Sequence, residues 1–367
     1  MSKVKKILLS GNEAVGYGAI QAGCRFYAGY PITPQNELIA YMAEYMSKAN
    51  GVFIQAESEL AAISMVFGAA ASGARAMTTS SSPGISLKQE GISYLAGCQL
   101  PAVIVNIMRG GPGLGNISPS QSDYFQATKG GGHGDYRCIV LAPATVPETI
   151  NLMHLAFDLA DKYSNPVMVL SDGMLGQMME PVTTDCTDKK NPHRLIQIKK
   201  PWALTGARRR APNVIKSLFL PEGALEKINL MLQDKYRKIE QKEFLCEDFY
   251  LKDSQIILVA YGTMSRIAKQ AMFNARKNGL KVGLIRPITL WPFPKSQITQ
   301  IINRLHRKKT RPVFLVVEMS HGQMLEDVRL AVDGKCKVDF YGRAGGGIPT
   351  EEAIFNRVEK LINEKNR

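Results

Sequence analysis

Three short stretches hold the residues best suited to chemistry. In YPITP, Pro31 and Pro34 stiffen the backbone around Thr33 just before an expected helix. A hydroxyl fixed beside helix N-terminal amides suits a carboxylate or another anion, although a turn with a threonine cap explains the same residues. In QAESELAAISMVFGAAASGA, residues 55 to 74, Glu57 and Glu59 stand before a long run of small and apolar residues. They either stabilise the positive end of a helix, worth about 0.3–1 kcal/mol, or include a partly buried carboxylate kept for proton transfer. Composition does not choose between these. In MRGGPGLG, Arg109 follows an apolar run, at the carboxyl end of an expected strand, where ligand crevices form in open α/β sheets. Its fork of donors there suits a bidentate grip on a carboxylate. GGGHGDYR at 130 to 137 adds His133 and Asp135 on a flexible loop, with no nucleophile paired to the histidine, so a structural role is expected for it.

Other motifs point away from their usual chemistry. GNEAVGYGAIQAG supplies Gly16 and Gly18, but Gln21 stands where a dinucleotide fingerprint needs its third glycine, so these glycines are expected to let a first helix pack closely. No GxxxxGK[ST] occurs. The six cysteines, at 24, 98, 138, 186, 246 and 336, never form CxxC, which fits reduced thiols rather than a disulfide framework, a zinc site or an iron–sulfur cluster.

The elements that must carry these residues are legible as short apolar runs closed by Gly, Ser or Pro: VFIQAE at 52, PAVIVNIM at 101, CIVLAPA at 138 and NPVMVLSDG at 165. Continuous rather than alternating runs suggest strands buried on both faces, hence an α/β fold with a mainly parallel sheet. The pattern fades over 187–250, which reads as a basic linker, with KKNPHRLIQIKKPWALTGARRRAPN, and a bridging helix, with EGALEKINLMLQDKYRKIEQKEF. It resumes in QIILVAYGT, KVGLIRPI and RPVFLVVEMS, marking a second, smaller α/β domain over 251–367 after a first domain over 1–186. The small residues of the 59–74 segment, including Gly68 and Gly73, are expected to admit another element very closely.

Charge is uneven. Residues 1–186 carry 11 basic and 14 acidic groups (net −3), 187–250 carry 14 and 8 (+6), and 251–367 carry 21 and 10 (+11). RRR at 208–210 and RKK at 307–309 stand without a zinc-finger, helix-turn-helix or RNP pattern, so nucleic acid is set aside in favour of an acidic protein partner or a solvated surface. No stretch approaches 18 uninterrupted apolar residues and the N-terminal MSKVKKILLS has no signal-peptide pattern, so no membrane span and a cytoplasmic location are expected.

YPITP, the ESELAAI helix with its glycines, NIMRGGPGLG and RPITLWPFP together resemble the α-type subunit of thiamine-diphosphate-dependent 2-oxoacid:ferredoxin oxidoreductases over essentially the whole chain. SSSPGISLKQEGISY, QSDYFQATKGGGHGDYR and SDGMLGQMME are most similar to the 3-methyl-2-oxobutanoate (2-oxoisovalerate) enzymes, with the 2-oxoglutarate enzymes close by. The resemblance implies a pyrimidine-binding domain of the thiamine-diphosphate-binding fold, followed by a transketolase C-terminal-like domain carrying Trp291 that serves a subunit interface. It implies that Glu59, chosen over Glu57 by the register of Gly68 and Gly73, bonds N1′ of the aminopyrimidine and so helps the 4′-nitrogen remove the C2 proton. Pro31 and Thr33 belong to the cofactor site, while Thr33 and Arg109 bind the 2-oxo acid carboxylate. The implied reaction is CoA-dependent oxidative decarboxylation of a branched-chain 2-oxo acid, with 2-oxoglutarate as the alternative substrate. A non-catalytic scaffold subunit is the alternative of another class, and a transketolase-like transferase a further enzyme option. No GDG followed by Asn occurs at the family's spacing; SDG at 171 comes nearest, and its next asparagine, Asn191, lies in the linker. The diphosphate and magnesium are therefore expected on a β subunit, the iron–sulfur clusters on a small ferredoxin-like subunit, with a γ subunit and external ferredoxin as further partners. The basic second domain, with Arg307, Lys308 and Lys309, is a candidate dock for an acidic electron carrier.

Overall fold

The described residues of the computed structural model are 6–183 and 199–365; Cys186 and Asn191 lie outside them. Strand β1 (Lys6–Ser10) leads into α1 (Gly11–Gln21) through a capping box in which Ser10 and Glu13 satisfy each other's backbone amides. Then follow β2 (Phe26–Gly29), α2 (Asn36–Tyr45), β3 (Val52–Gln55), α3 (Glu59–Ala71), β4 (Ala76–Ser80), α4 (Ser82–Gly97) and β5 (Val103–Met108). After these come α5 (Tyr124–Lys129), β6 (Ile139–Leu141), α6 (Val146–Tyr163), β7 (Val167–Asp172), α7 (Gly173–Gln177) and β8 (Met179–Thr183). The later elements are α8 (Ala224–Lys242), β9 (Cys246–Phe249), β10 (Ile256–Val259), α9 (Gly262–Lys277), β11 (Val282–Pro287) and β12 (Thr289–Trp291). Last are α10 (Lys295–Arg307), β13 (Val313–Glu318), α11 (Gln323–Val332), β14 (Val338–Gly342) and α12 (Glu351–Lys365).

The chain builds two doubly wound parallel sheets. The first runs β12-β6-β7-β5-β4-β2-β3, with every pair parallel except β12 against β6. All residues of β4, β5 and β7 are buried, as strands covered on both faces require. Helix α1 packs against α2 and α6, and α3 against α4; right-handed crossovers put these two groups on opposite faces of the sheet. The second sheet runs β14-β13-β10-β11-β9, parallel except for β9 at its edge.

Three strands differ from the sequence expectation. β9 lies inside the 187–250 segment read as linker and bridging helix, yet pairs antiparallel with β11; its polar CEDF gave no apolar run. β12, three residues ending at Trp291, leaves the second domain to extend the first sheet antiparallel to β6. The first glycine-rich helix does follow a strand, but β1 pairs with β8 in a separate two-stranded sheet, outside the main sheet where a nucleotide-binding turn would have to sit. Gly16 and Gly18 serve close packing, since a Cβ at Gly16 would come within 2.6 Å of the Tyr41 ring and one at Gly18 within 3.0 Å of the α6 backbone. Among the described residues no helix is long and apolar enough to cross a membrane.

Candidate active site

The carboxyl ends of β2, β3, β4 and β5 open on one edge of the first sheet, and β2, β3 and β5 are followed by Thr33, Glu59 and Arg109. After β2 the chain turns through Tyr30 to Gln35. Pro31 is exposed and Thr33 half-buried. The turn is pinned from behind: the Pro34 carbonyl accepts from Asn12 Nδ2 at 2.8 Å and from Gln177 Nε2 at 3.2 Å. Gln35 is fully buried, and its Oε1 accepts from the Thr79 hydroxyl. Because Thr79 spends its proton there, the Tyr27 hydroxyl must donate to Thr79, at 2.8 Å. This buried chain ties the turn to β4.

After β3, Ser58 caps α3 by accepting from the Ala61 amide, and Glu59 is the first helical residue. Glu57 is exposed; Glu59 is only 6 % exposed. Its carboxylate has no hydrogen-bond donor among the described residues. It lies instead against the first turn of α4. A Cβ at Gly84 would stand 2.5 Å from Glu59 Oε1 and 2.0 Å from Ser80 Oγ, so only glycine leaves room for the carboxylate. Of the close approaches expected at Gly68 and Gly73, only the second occurs. Gly68 has no neighbour within 4 Å, whereas Gly73, at φ +95° just past the helix end, would bring a Cβ within 3.0 Å of Ala203 Cβ. The tight contacts between α3 and α4 are made by Gly84 and by Gly91, whose Cβ would strike Ile63 at 2.6 Å.

After β5, Arg109 is 8 % exposed. Nη1 donates to the Thr33 carbonyl at 2.9 Å and Nη2 to the Leu114 carbonyl at 3.3 Å, while the buried Nε has no partner. Its backbone amide donates to Ser82 Oγ at 3.0 Å, and Ser82 donates to Asp123 at 2.6 Å. Burial pushes the Asp123 carboxyl up, against hydrogen bonds from Ser82 and Asn106 that pull it down. The first turn of α4 is thus the hub. Gly84 receives Glu59, and Ser82 holds Arg109, which in turn holds Thr33. No carboxylate pairs with Arg109 among the described residues. A buried guanidinium and a buried carboxylate, each without a counter-ion at bonding distance, make a cleft suited to an anion on one side and a hydrogen-bonding base on the other.

The second domain completes the frame. The loop after β5 is held by Gln121, whose amide bridges the Tyr261 carbonyl and the Met319 amide, each at 3.0 Å. Tyr124 donates to Asp327 at 2.6 Å, and Asn116 donates to the Gly345 carbonyl at 3.0 Å. Arg286 pairs with Glu148, and Thr263 donates to Asp172 at 2.6 Å.

Residues 17–240 match the family described as pyruvate flavodoxin/ferredoxin oxidoreductase, thiamine diphosphate-binding, and residues 254–354 match pyruvate:ferredoxin oxidoreductase core domain II. The ketoisovalerate oxidoreductase subunit VorB of Methanothermobacter marburgensis is 48% identical over 361 residues, covering 98% of this chain and 99% of the relative. The chain belongs to the 2-oxoacid:ferredoxin oxidoreductase family. The 2-oxoglutarate synthase subunit KorA of Methanothermobacter thermautotrophicus is 34% identical over 395 residues, covering 97% of this chain and 99% of the relative. A 2-oxoglutarate:ferredoxin oxidoreductase from Magnetococcus marinus, solved with 2-oxoglutarate, coenzyme A and succinyl-CoA bound, superposes with a TM-score of 0.83 at 28% identity. It covers 99% of this chain, which spans 66% of that longer chain.

The donor set of this 2-oxoacid:ferredoxin oxidoreductase subunit fits the aminopyrimidine end of thiamine diphosphate. Glu59 is a buried acceptor without a donor of its own, and Gly84 leaves the cradle beside it open. Among the described residues the diphosphate end finds no comparable set. Asp172 of SDG caps α7 through the Met174 and Leu175 amides and accepts from Thr263, so its carboxylate is used in joining the domains. Among the described residues no three His, Cys, Asp or Glu side chains converge as metal ligands. His133 and Asp135 are exposed; His133 packs edge-on to Tyr94.

Sequence reasoning missed Gln35, Thr79, Ser82 and Gly84. The available signal for Ser82 and Gly84 was SSSPG, small hydroxyls and a glycine around a helix-starting proline; Gln35 and Thr79 carried none. Gly84 has a helical backbone, so Gly84→Ala adds no backbone strain, but its methyl group collides with Ser80 Oγ and displaces Glu59. Turnover is expected to fall roughly 100-fold, with a melting temperature lowered by the overpacking, which costs about 1–3 kcal/mol. Parallel kinetics and thermal unfolding check this; wild-type turnover would mean that the carboxylate position is not critical.

Proposed function

We propose that this chain is the catalytic α-type subunit of a 3-methyl-2-oxobutanoate:ferredoxin oxidoreductase, which converts a branched-chain 2-oxo acid and coenzyme A to acyl-CoA and CO₂ while reducing ferredoxin. The observation that carries the reading is the pair of buried ionisable side chains, Glu59 and Arg109, gathered around one helix turn with no ion-pair partner at bonding distance among the described residues. A scaffold subunit has no physical use for either. Glu59 exchanges a proton with N1′ of the aminopyrimidine. Arg109 and Thr33 orient the substrate carboxylate, Arg109 through its free N–H groups and Thr33 through its hydroxyl. Pro31 lines the cofactor side of the turn. Thiamine diphosphate, when bound, supplies the electron sink that makes decarboxylation possible.

The missing diphosphate site supports a β subunit that brings the diphosphate and magnesium, with iron–sulfur clusters on a small ferredoxin-like subunit, a γ subunit in the same complex and an external ferredoxin as acceptor. The relatives' names as subunits favour such an assembly. Cys24, Cys98, Cys138 and Cys246 are free thiols, which suits the reducing cytoplasm. The branched-chain substrate is favoured by the higher identity to VorB than to KorA. The second reading, 2-oxoglutarate as substrate, is favoured by the bound 2-oxoglutarate of the Magnetococcus marinus enzyme. The test is anaerobic reduction of a low-potential dye by the assembled complex with thiamine diphosphate, magnesium and coenzyme A. Fastest reduction with 2-oxoisovalerate is expected; preference for 2-oxoglutarate moves the specificity, and no reduction with any 2-oxo acid removes the assignment.

A further inference from the structure

Helix α4 carries a third buried charge toward the same cleft. Lys88 lies one turn beyond Gly84 on the same helix face, and its side chain is fully enclosed. Its Nζ reaches the Thr79 carbonyl at 3.5 Å, and no carboxylate stands at ion-pair distance among the described residues. Burial pushes its pKa down to about 8, and Glu59 pulls it back up. Of the titratable groups around it, Glu59 faces it from α3. Tyr27, behind Thr79 on β2, is pushed up by burial and stays neutral. The hydroxyls nearest along the chain, on Thr78, Ser80 and Ser81, are themselves buried without partners.

An enclosed ammonium held by one long hydrogen bond is costly, and a methionine of similar length would fill its space without that cost. A lysine kept there for packing has no rationale. We propose that Lys88 is a positioning residue for proton transfer at Glu59: its ammonium, one turn behind the Gly84 cradle, offsets the negative charge that develops on the Glu59 carboxyl oxygens as the proton passes to N1′ of the aminopyrimidine. The proposal rests on the role given to Glu59 above. The proton moves from the Glu59 carboxyl oxygen to the ring nitrogen, and the lysine keeps its own proton throughout. Nothing is consumed.

Two readouts separate this from a structural role. In the full chain at neutral pH, Lys88→Met is expected to raise the thermal midpoint by about 2–4 °C, because a buried charge is removed; a structural lysine would give a fall. In the assembled complex, exchange of the C2 proton of bound thiamine diphosphate for deuterium is followed against pH. In Lys88→Met exchange is expected to drop about tenfold at neutral pH, and the gap to wild type to close as pH rises through about 8, where wild-type Lys88 loses its own charge. Lys88→Arg, which keeps the charge, should match the wild type at neutral pH. Glu59→Gln is measured alongside. If it exchanges normally, the role of Glu59 itself falls. If Glu59→Gln blocks exchange while the Lys88→Met profile superimposes on wild type, or is lowered equally at every pH with a lower midpoint, the proposal for Lys88 falls and that for Glu59 stands.

Discussion

Glu59→Gln in the assembled complex is expected to lower turnover by about a thousandfold, within the range of roughly 10²–10⁴ that a positioned acid–base group contributes. The amide has the shape of the carboxylate and fits the Gly84 cradle, but it cannot take or return a proton. Stability should not suffer, because the Glu59 carboxylate accepts no hydrogen bond that the substitution would break among the described residues. Glu57→Gln is the internal control. Glu57 is exposed, two residues away in a segment of similar sequence, and its change should leave turnover within a factor of about two, as a surface substitution does. Steady-state dye reduction, thermal unfolding and cofactor titration on both variants decide the matter. Near-normal turnover in Glu59→Gln would remove the proton-transfer role and leave Glu59 as a helix-end charge.

The sheet was legible because burial on both faces demands uninterrupted apolar strands, and PAVIVNIM and NPVMVLSDG could be little else. The residues at strand ends were legible for a related reason. Parallel sheets expose their carboxyl ends as crevices, so Glu59 and Arg109 had to share one edge once their strands were recognised, whereas β2, the four-residue strand before Thr33, was not read from the sequence. What could not be read is set by packing between distant segments. β12 is three residues long and owes its place to pairing with β6, about 150 residues earlier in the chain. Lys88 sits in a helix whose pattern suggests solvent, and only the stacking of α4 against α3 and β4 encloses it. SDG looked like an incomplete magnesium motif for want of a well-spaced asparagine, and the use its Asp172 has instead, accepting from Thr263 of the other domain, depends on a contact between distant segments.

The second domain then has a role inside this chain, whatever it does at subunit contacts. Its loops after β10, β13 and β14 grip Gln121 and Asn116 on the loop that carries Arg109, and Asp327 of α11 holds Tyr124 at the start of α5, where that loop ends. The glycines of GGPGLG make that loop pliable, and Gly115 at φ +59° lies within 1.8 Å, by its absent Cβ, of the Gly110 carbonyl. Pliability of that kind is compatible with a fixed guanidinium only if the far side is anchored. Trp291 contributes to the same frame by packing edge-on to Tyr236 while its strand extends the first sheet.

Arg109→Lys tests whether that anchored guanidinium reads the group common to all 2-oxo acids. A lysine cannot reach both the Thr33 and Leu114 carbonyls and still present two parallel donors to a carboxylate. The loss should be about 3 kcal/mol, roughly 100-fold in kcat/KM. The larger part is expected in KM, because the carboxylate is held in the ground state as well as at the transition state. Every 2-oxo acid carries that carboxylate, so the ratios among 2-oxoisovalerate, 2-oxoglutarate and pyruvate should stay as they are in the wild type. Kinetics with the three substrates give the answer. A changed ratio would place Arg109 against the variable side chain of the substrate, whereas an unchanged kcat/KM would leave its buried charge to some other anion.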